Sequence, residues 1–108
     1  MSWKIVYMED ALRDLQNLDN AQRILVLKSI RKVSSNPVPQ SEGGYGKPLG
    51  NIAGKNLTGL LKIKLRNAGL RVVYCLERRN GVMCIIVISV RDDDKVYQIA
   101  NHRIKSKL

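Results

Sequence analysis

The stretch Leu61-Lys62-Ile63-Lys64-Leu65-Arg66-Asn67-Ala68-Gly69-Leu70-Arg71-Val72-Val73-Tyr74 decides how this chain folds. Leu61, Ile63 and Leu65 alternate with Lys62, Lys64 and Arg66, which is the period of a strand with one apolar and one basic face. Asn67-Ala68-Gly69 has turn chemistry, and the run from Leu70 to Arg78 is again rich in strand formers, so a second antiparallel strand follows. If Arg66 and Arg71 flank a four-residue turn, Lys64 opposes Val73 and Arg71 points the same way as the lysines. A third strand, Val82 to Val90, is apolar on both parities and therefore reads as covered on both faces. Asn80-Gly81 before it has the sequence of a two-residue hairpin turn, which would pair Cys75 with Ile86 and Cys84 with Glu77.

Working outward, Trp3, Ile5 and Tyr7 alternate and predict an opening strand placed beside Val82 to Val90. Ala11, Leu12, Leu15 and Leu18 fall at helical spacing behind Glu9 and Asp10, which suit a helix amino end. A second helix starts at Asp19 or Asn20, buries Ile24, Leu27 or Val26, Ile30 and Val33, keeps Arg23, Lys28, Arg31 and Lys32 wet, and ends before Asn36-Pro37. Residues 36–59 hold three prolines and six glycines and read as one long loop of the functional or mobile kind. Asp92 to Leu108 closes the chain as a helix with Val96, Ile99 or Ala100, and Arg103 or Ile104 on one face. The expected architecture is α+β: a four-stranded antiparallel sheet with two N-terminal helices packed on one face and a C-terminal helix, all in one domain spanning residues 1–108.

The 108 residues are 44% apolar and 26% charged, a globular composition with no run long enough for a membrane helix. Met1 to Asp10 lacks the shape of a secretory signal, which points to a cytoplasmic protein with no membrane partner. Nineteen Lys and Arg against nine Asp and Glu give a net charge of +10, so the partner is expected to be an anion. The excess is uneven: residues 1–56 carry 8 basic and 5 acidic side chains, residues 57–108 carry 11 and 4. Cys75 and Cys84 are too few for a disulfide scaffold and, as diagonal neighbours, are not expected to bond.

Alternating lysines alone usually mean a solvated strand face. Four cations on adjacent strands, with no acid between Lys55 and Arg71, repel one another and call for an anion. Asp92-Asp93-Asp94 is read as a helix start rather than a metal site, and the sole histidine, His102, as a helix-surface residue. Tyr7 and Tyr74 read as core. Tyr45, among Gly43, Gly44 and Gly46, has a stacking ring but is read as a mobile loop residue.

In order and spacing the chain resembles the RelE/ParE superfamily of bacterial and archaeal type II toxins. The resemblance is carried by Tyr7-x-x-x-Ala11-x-x-Asp14-Leu15-x-x-Leu18, by Lys47-Pro48-Leu49, and by the block from Leu61 to Tyr74 quoted above. It continues in Val87-Ile88-Ser89-Val90 and in Arg91-x-x-x-x-Val96-Tyr97, and it is similar to the RelE branch in particular. The link from Val90 to Arg91 is shorter than the glycine-containing one usual there. The resemblance implies a ribosome-dependent endoribonuclease that cuts mRNA in the A site by attack of the 2′-OH, with no cofactor and no metal. It further implies catalytic roles for Lys62, Lys64, Arg71, Arg91 and Tyr97, and RNA contacts for Lys47, Lys55, Arg66 and Arg103. Lys62 and Lys64 would meet the scissile phosphate, Arg71 and Arg91 would be further phosphate ligands with Arg91 placed to protonate the leaving oxygen, and Tyr97 would act on the attacking hydroxyl. Tyrosine, lysine and arginine titrate far above neutrality, so rate would come chiefly from electrostatics and in-line geometry. The expected partners are the ribosome, with its mRNA and rRNA, and a cognate acidic antitoxin through which alone the toxin oligomerises. A ParE-like inhibitor of DNA gyrase and a non-catalytic basic RNA-binding module are the alternatives.

Overall fold

A computed structural model describes residues 3–52, 55–90 and 93–107, with side chains over 3–49, 59–90 and 95–105. The chain runs β1 (Lys4–Tyr7), α1 (Glu9–Gln16), α2 (Asn20–Ser34), β2 (Lys47–Ile52), β3 (Lys55–Leu65), β4 (Leu70–Glu77), β5 (Val82–Ser89) and α3 (Asp93–Lys107). Among the described residues five strands form one sheet in the order β1-β5-β4-β3-β2, with β1 parallel to β5 and the other pairs antiparallel.

The expectation of a four-stranded antiparallel sheet is therefore corrected to five strands and a mixed sheet. The strand beyond the expected ones is β2, inside the stretch read as loop, where Pro48 and Gly50 conceal it. It is an edge strand with a bulge between Pro48 and Gly50, and an edge is where a residue lacking an N–H is tolerated. The opening strand does lie beside β5, as expected.

The first helix pair follows from local chemistry. Asp19 accepts from the Gln22 amide at 2.8 Å while the Gln22 side chain accepts from the Asp19 amide, a capping box that starts α2. Arg23, expected to be wet, turns back and donates to the carbonyls of Leu15, Gln16 and Leu18, which satisfies the carboxyl end of α1 and sets the turn between the helices. The buried stripe of α2 is Val26, Ile30 and Val33; of the alternatives Leu27 and Val26 it is Val26 that is buried, and Ile24, expected in the stripe, is exposed.

The two faces of the sheet have separate cores. Ala11, Val26, Ile30 and Val33 of α1 and α2 pack on Leu61, Leu70, Val72, Tyr74, Met83, Ile85 and Ile88. On the other face Val96, Tyr97 and Ala100 of α3 pack on Leu49, Leu60, Val73, Ile86 and Val87. A bulge between Val73 and Tyr74 lets Ile86 and Val87 face the same side.

Two register expectations change. Leu65 pairs with Leu70, so the four-residue turn is 66–69 and Lys64 faces Arg71 rather than Val73. Glu77 pairs with Val82, so the β4–β5 loop has four residues, not two, and Cys75 stands directly opposite Cys84. The longer loop is held by the Glu77 carboxylate, which accepts from the amides of Arg79 and Asn80, and closed by Gly81 at φ +65°.

Candidate active site

Register places the cations. Lys47 pairs with Lys62 and Lys62 with Val73; one step along, Lys64 pairs with Arg71 and Arg71 with Ser89. Directly paired residues point to one side of a sheet, so Lys47, Lys62, Lys64 and Arg71 share the face carrying Val73 and Val87, the face under α3. Lys64 directly opposite Arg71 is a like-charge pair, which an anion between the two relieves.

α3 brings the aromatic. Tyr97, in its first turns, is 5% exposed with its ring in the second core, and its oxygen accepts from the Lys62 ammonium at 2.8 Å. The same ammonium lies 5.5 Å from the ring centroid. Residues 35 positions apart in sequence thus meet at a single hydrogen bond on the basic face. The phenol is fixed by packing on one side and by a cation on the other.

Two cavities open along the cations of β3 and β4. One, of about 280 Å³, is lined by Lys47, Lys62, Lys64 and Arg66 on the sheet side and by Lys32 and Tyr45 opposite. The second, about 180 Å³, runs on between Lys64, Arg66 and Arg71. No acidic side chain lines either one among the described residues.

Of the residues singled out from sequence, Lys62, Lys64, Arg71 and Tyr97 come together, with Lys47 and Arg66 at the adjoining cavities. Arg103 does not join them. Its guanidinium, 15% exposed, donates to both oxygens of Asp14 at 2.7 and 3.0 Å and to the Ile86 carbonyl at 2.7 Å. Asp14 also accepts from the Ile88 amide at 3.0 Å, so Arg103 ties α3 to α1 and to the bulge of β5. Arg91 and Asp92, and with them the shortened link, lie outside the described residues, as does the side chain of Lys55. His102 is exposed on α3, as expected. Lys32 and Ser29 were missed: Lys32 reads as a wet position of α2 and Ser29 carries no signal of its own, and only the packing of that helix near the end of β3 brings them to the larger cavity.

The five-stranded mixed sheet with its three helices is a RelE-like fold, shared with solved RelE toxins. No protein-family model matches the chain. It is 28% identical over 108 residues to an Escherichia coli protein described as a RelE-like toxin, covering 97% of this chain and 100% of the relative. The free E. coli RelE toxin, as an arginine-to-alanine double mutant, matches with a TM-score of 0.74 and 26% identity over 96% of this chain and 99% of that one. The same mutant in complex with a peptide of the RelB antitoxin matches at 0.65 and 25% identity, over 93% and 95%. The chain is a member of the RelE superfamily, on its RelE-like side.

Proposed function

We propose that this chain, residues 1–108 acting as one domain, is the toxin of a toxin–antitoxin pair and cuts mRNA in the ribosomal A site. The observation that carries the reading is the Lys62–Tyr97 hydrogen bond of 2.8 Å on a face where Lys64 stands opposite Arg71. Cleavage by the neighbouring 2′-hydroxyl asks for cations around a pentacoordinate phosphate and for in-line geometry. The 2′-oxygen bonds to phosphorus, the bond from phosphorus to the 5′-oxygen breaks, and the products are a 2′,3′-cyclic phosphate and a 5′-hydroxyl. Lys62, Lys64 and Arg71 offset the developing charge. Tyr97 acts on the attacking 2′-hydroxyl by hydrogen bonding and orienting it, its proton passing to water as the bond to phosphorus forms, and Arg91 is the proposed donor to the leaving 5′-oxygen. Lys47, Lys55 and Arg66 bind flanking phosphates. None of these steps calls for a metal or cofactor. The Lys62–Tyr97 pair itself brings a cation and a phenol rather than a carboxylate or imidazole base, which fits an enzyme that depends on the ribosome to align its substrate.

The partners follow from the same surface. An acidic antitoxin covers the basic face, oligomers form only through that complex, and the site of action is the cytoplasm. An antitoxin partner is supported by the relatives, since RelE is found bound to a RelB peptide.

Primer extension on an mRNA under translation in a purified system tests the reading, with wild type and Arg71→Ala, each with and without ribosomes. Ribosome-dependent cuts within A-site codons, absent from the variant, are expected. Intact mRNA together with growth arrest in cells would transfer the reading to gyrase inhibition; intact mRNA without arrest would leave an RNA-binding module.

A further inference from the structure

The larger cavity is more than an annex of the Lys62–Tyr97 pair. It opens where β2 ceases to cover β3: their pairing reaches Lys62, and beyond it Ile63, Lys64 and Leu65 pair only with β4 among the described residues. Every charged side chain lining it is a cation, and Tyr45 adds an aromatic ring. An acidic peptide would satisfy the charge and waste the ring. An apolar ligand would use the ring and leave the charge of Lys32, Lys47 and Arg66 unused. A ligand that is flat, aromatic and anionic at once uses both, and an unpaired nucleotide has that chemistry.

Tyr45 is not the mobile loop residue that its glycine neighbours suggest. Its amide donates to Asn36 O at 3.0 Å, the Gly46 amide to Val38 O at 3.0 Å, and the Gln40 amide to Gly46 O at 2.8 Å. A Cβ on Gly44 would collide with the Val38 carbonyl, and one on Gly46 would lie 2.5 Å from the Tyr74 hydroxyl and 2.9 Å from Pro37 O. That hydroxyl itself donates to Pro37 O at 2.7 Å, and Arg78 grips Glu42 with two hydrogen bonds of 2.8 and 2.9 Å on the outer side of the segment. The glycines are present because the backbone is packed against its neighbours, not because it swings. Tyr45 nevertheless remains 49% exposed, with the Lys32 ammonium 5.7 Å from its ring centroid. A half-exposed ring on an immobile base loses little conformational freedom when something stacks on it.

We propose that this cavity is a nucleotide subsite, in which an unpaired RNA nucleotide next to the scissile phosphate stacks its base on Tyr45 and sets its phosphate among Lys32, Lys47 and Arg66. The proposal rests on the RNA-cleaving reading above and names how the substrate strand is held beside the cut. Since any base has a stacking face, the subsite contributes affinity more than base identity.

The test is a binding cycle. A fluorescent RNA tetranucleotide with 2′-O-methyl riboses, which cannot be cut, is titrated by anisotropy at low salt, along with probes made abasic at each position in turn. Tyr45→Ala is expected to weaken binding of the full probe by about 5-fold to 100-fold, and Tyr45→Trp to retain it. One abasic position should cost the wild type a similar factor and cost Tyr45→Ala nothing, the signature of a coupled pair. Equal affinity of wild type and Tyr45→Ala, equal abasic losses in both, or no binding of the probe by wild type would each overturn the subsite. Cleavage of ribosome-bound mRNA by wild type is scored in parallel. Cutting with a flat cycle removes the subsite and leaves the nuclease; a coupled cycle without cutting keeps the subsite on an RNA-binding protein.

Discussion

On the face under α1 and α2, Val72, Tyr74, Met83 and Ile85 are fully buried, whereas on the face under α3 the helix seals Val73 and Val87 but leaves Lys62, Lys64 and Arg71 half-buried beside it. Both faces are built from the same alternating strands. The difference lies in what the cover must do: burying three charged side chains under an apolar helix face would cost far more than an apolar contact returns, so the second core stops at Tyr97 and Leu60. The groove is the region of sheet that α3 cannot cover. Stability thus resides mainly on one face and chemistry on the other, and substitutions should separate the two.

The largest effects should fall on opposite sides of that division. Ile85→Ala removes a fully buried side chain from the first core and should cost about 2–5 kcal/mol in urea unfolding, while the folded fraction still cuts mRNA. Lys62→Ala should do the reverse, lowering ribosome-dependent cleavage by about 100-fold or more with the cooperative thermal transition preserved. Unfolding of Lys62→Ala, or loss of cutting by the folded fraction of Ile85→Ala, would erase the division.

Arg103 sharpens the comparison because it is a cation on the chemical side with a structural engagement. Removing it leaves the Asp14 carboxylate with the Ile88 amide alone and loosens α3 from α1. Arg103→Ala should cost about 2 kcal/mol, less than a fully buried pair because both partners keep some exposure, and Asp14→Asn in the same chain should recover part of it. Arg66→Ala, at an exposed position lining both cavities, should leave stability unchanged and weaken RNA binding. Equal stability of the two variants would return Arg103 to the RNA-binding set.

What was legible in the sequence follows the same physical lines. Period-two alternation gave away β3 and the shared direction of Lys62, Lys64 and Arg71, because side-chain direction along a strand is local. The capping residue Asp19 and the stop at Asn36-Pro37 were legible for the same reason. β2 was not, since proline and glycine at a bulged edge carry loop chemistry, and pairing with β3 is a long-range event. Lys32 and Tyr45 were hidden because neither is near β3 in sequence. Arg103 misled because charge shows in a sequence while its partner, 89 residues away, does not.

The smallest predicted effect tests the hairpin that joins the two faces' strands. A two-residue turn at Asn80-Gly81 would leave the cysteines diagonal; the four-residue loop sets Cys75 directly across from Cys84. Both thiols are free and half-buried. The Cys75 S–H donates to the Cys84 sulfur, which holds the Cys84 thiol below the ordinary range against the opposing effect of its burial. The same hydrogen bond, together with burial, pushes Cys75 up. Thiolate is the species that reacts, so Cys84 should be alkylated by iodoacetamide at lower pH than an ordinary thiol, and Cys75 should remain unlabelled. In Cys75→Ala the donor is gone, burial alone acts, and the rise in Cys84 labelling should move to higher pH, slowing it by about 3-fold or more at pH 7.5. Peptide mass spectrometry across pH reads both. Identical profiles in wild type and Cys75→Ala would remove the thiol–thiol hydrogen bond, whereas the expected shift ties the chemistry of Cys84 to the register that sets it opposite Cys75 and, at the far end of the same hairpin, Arg71 opposite Ser89.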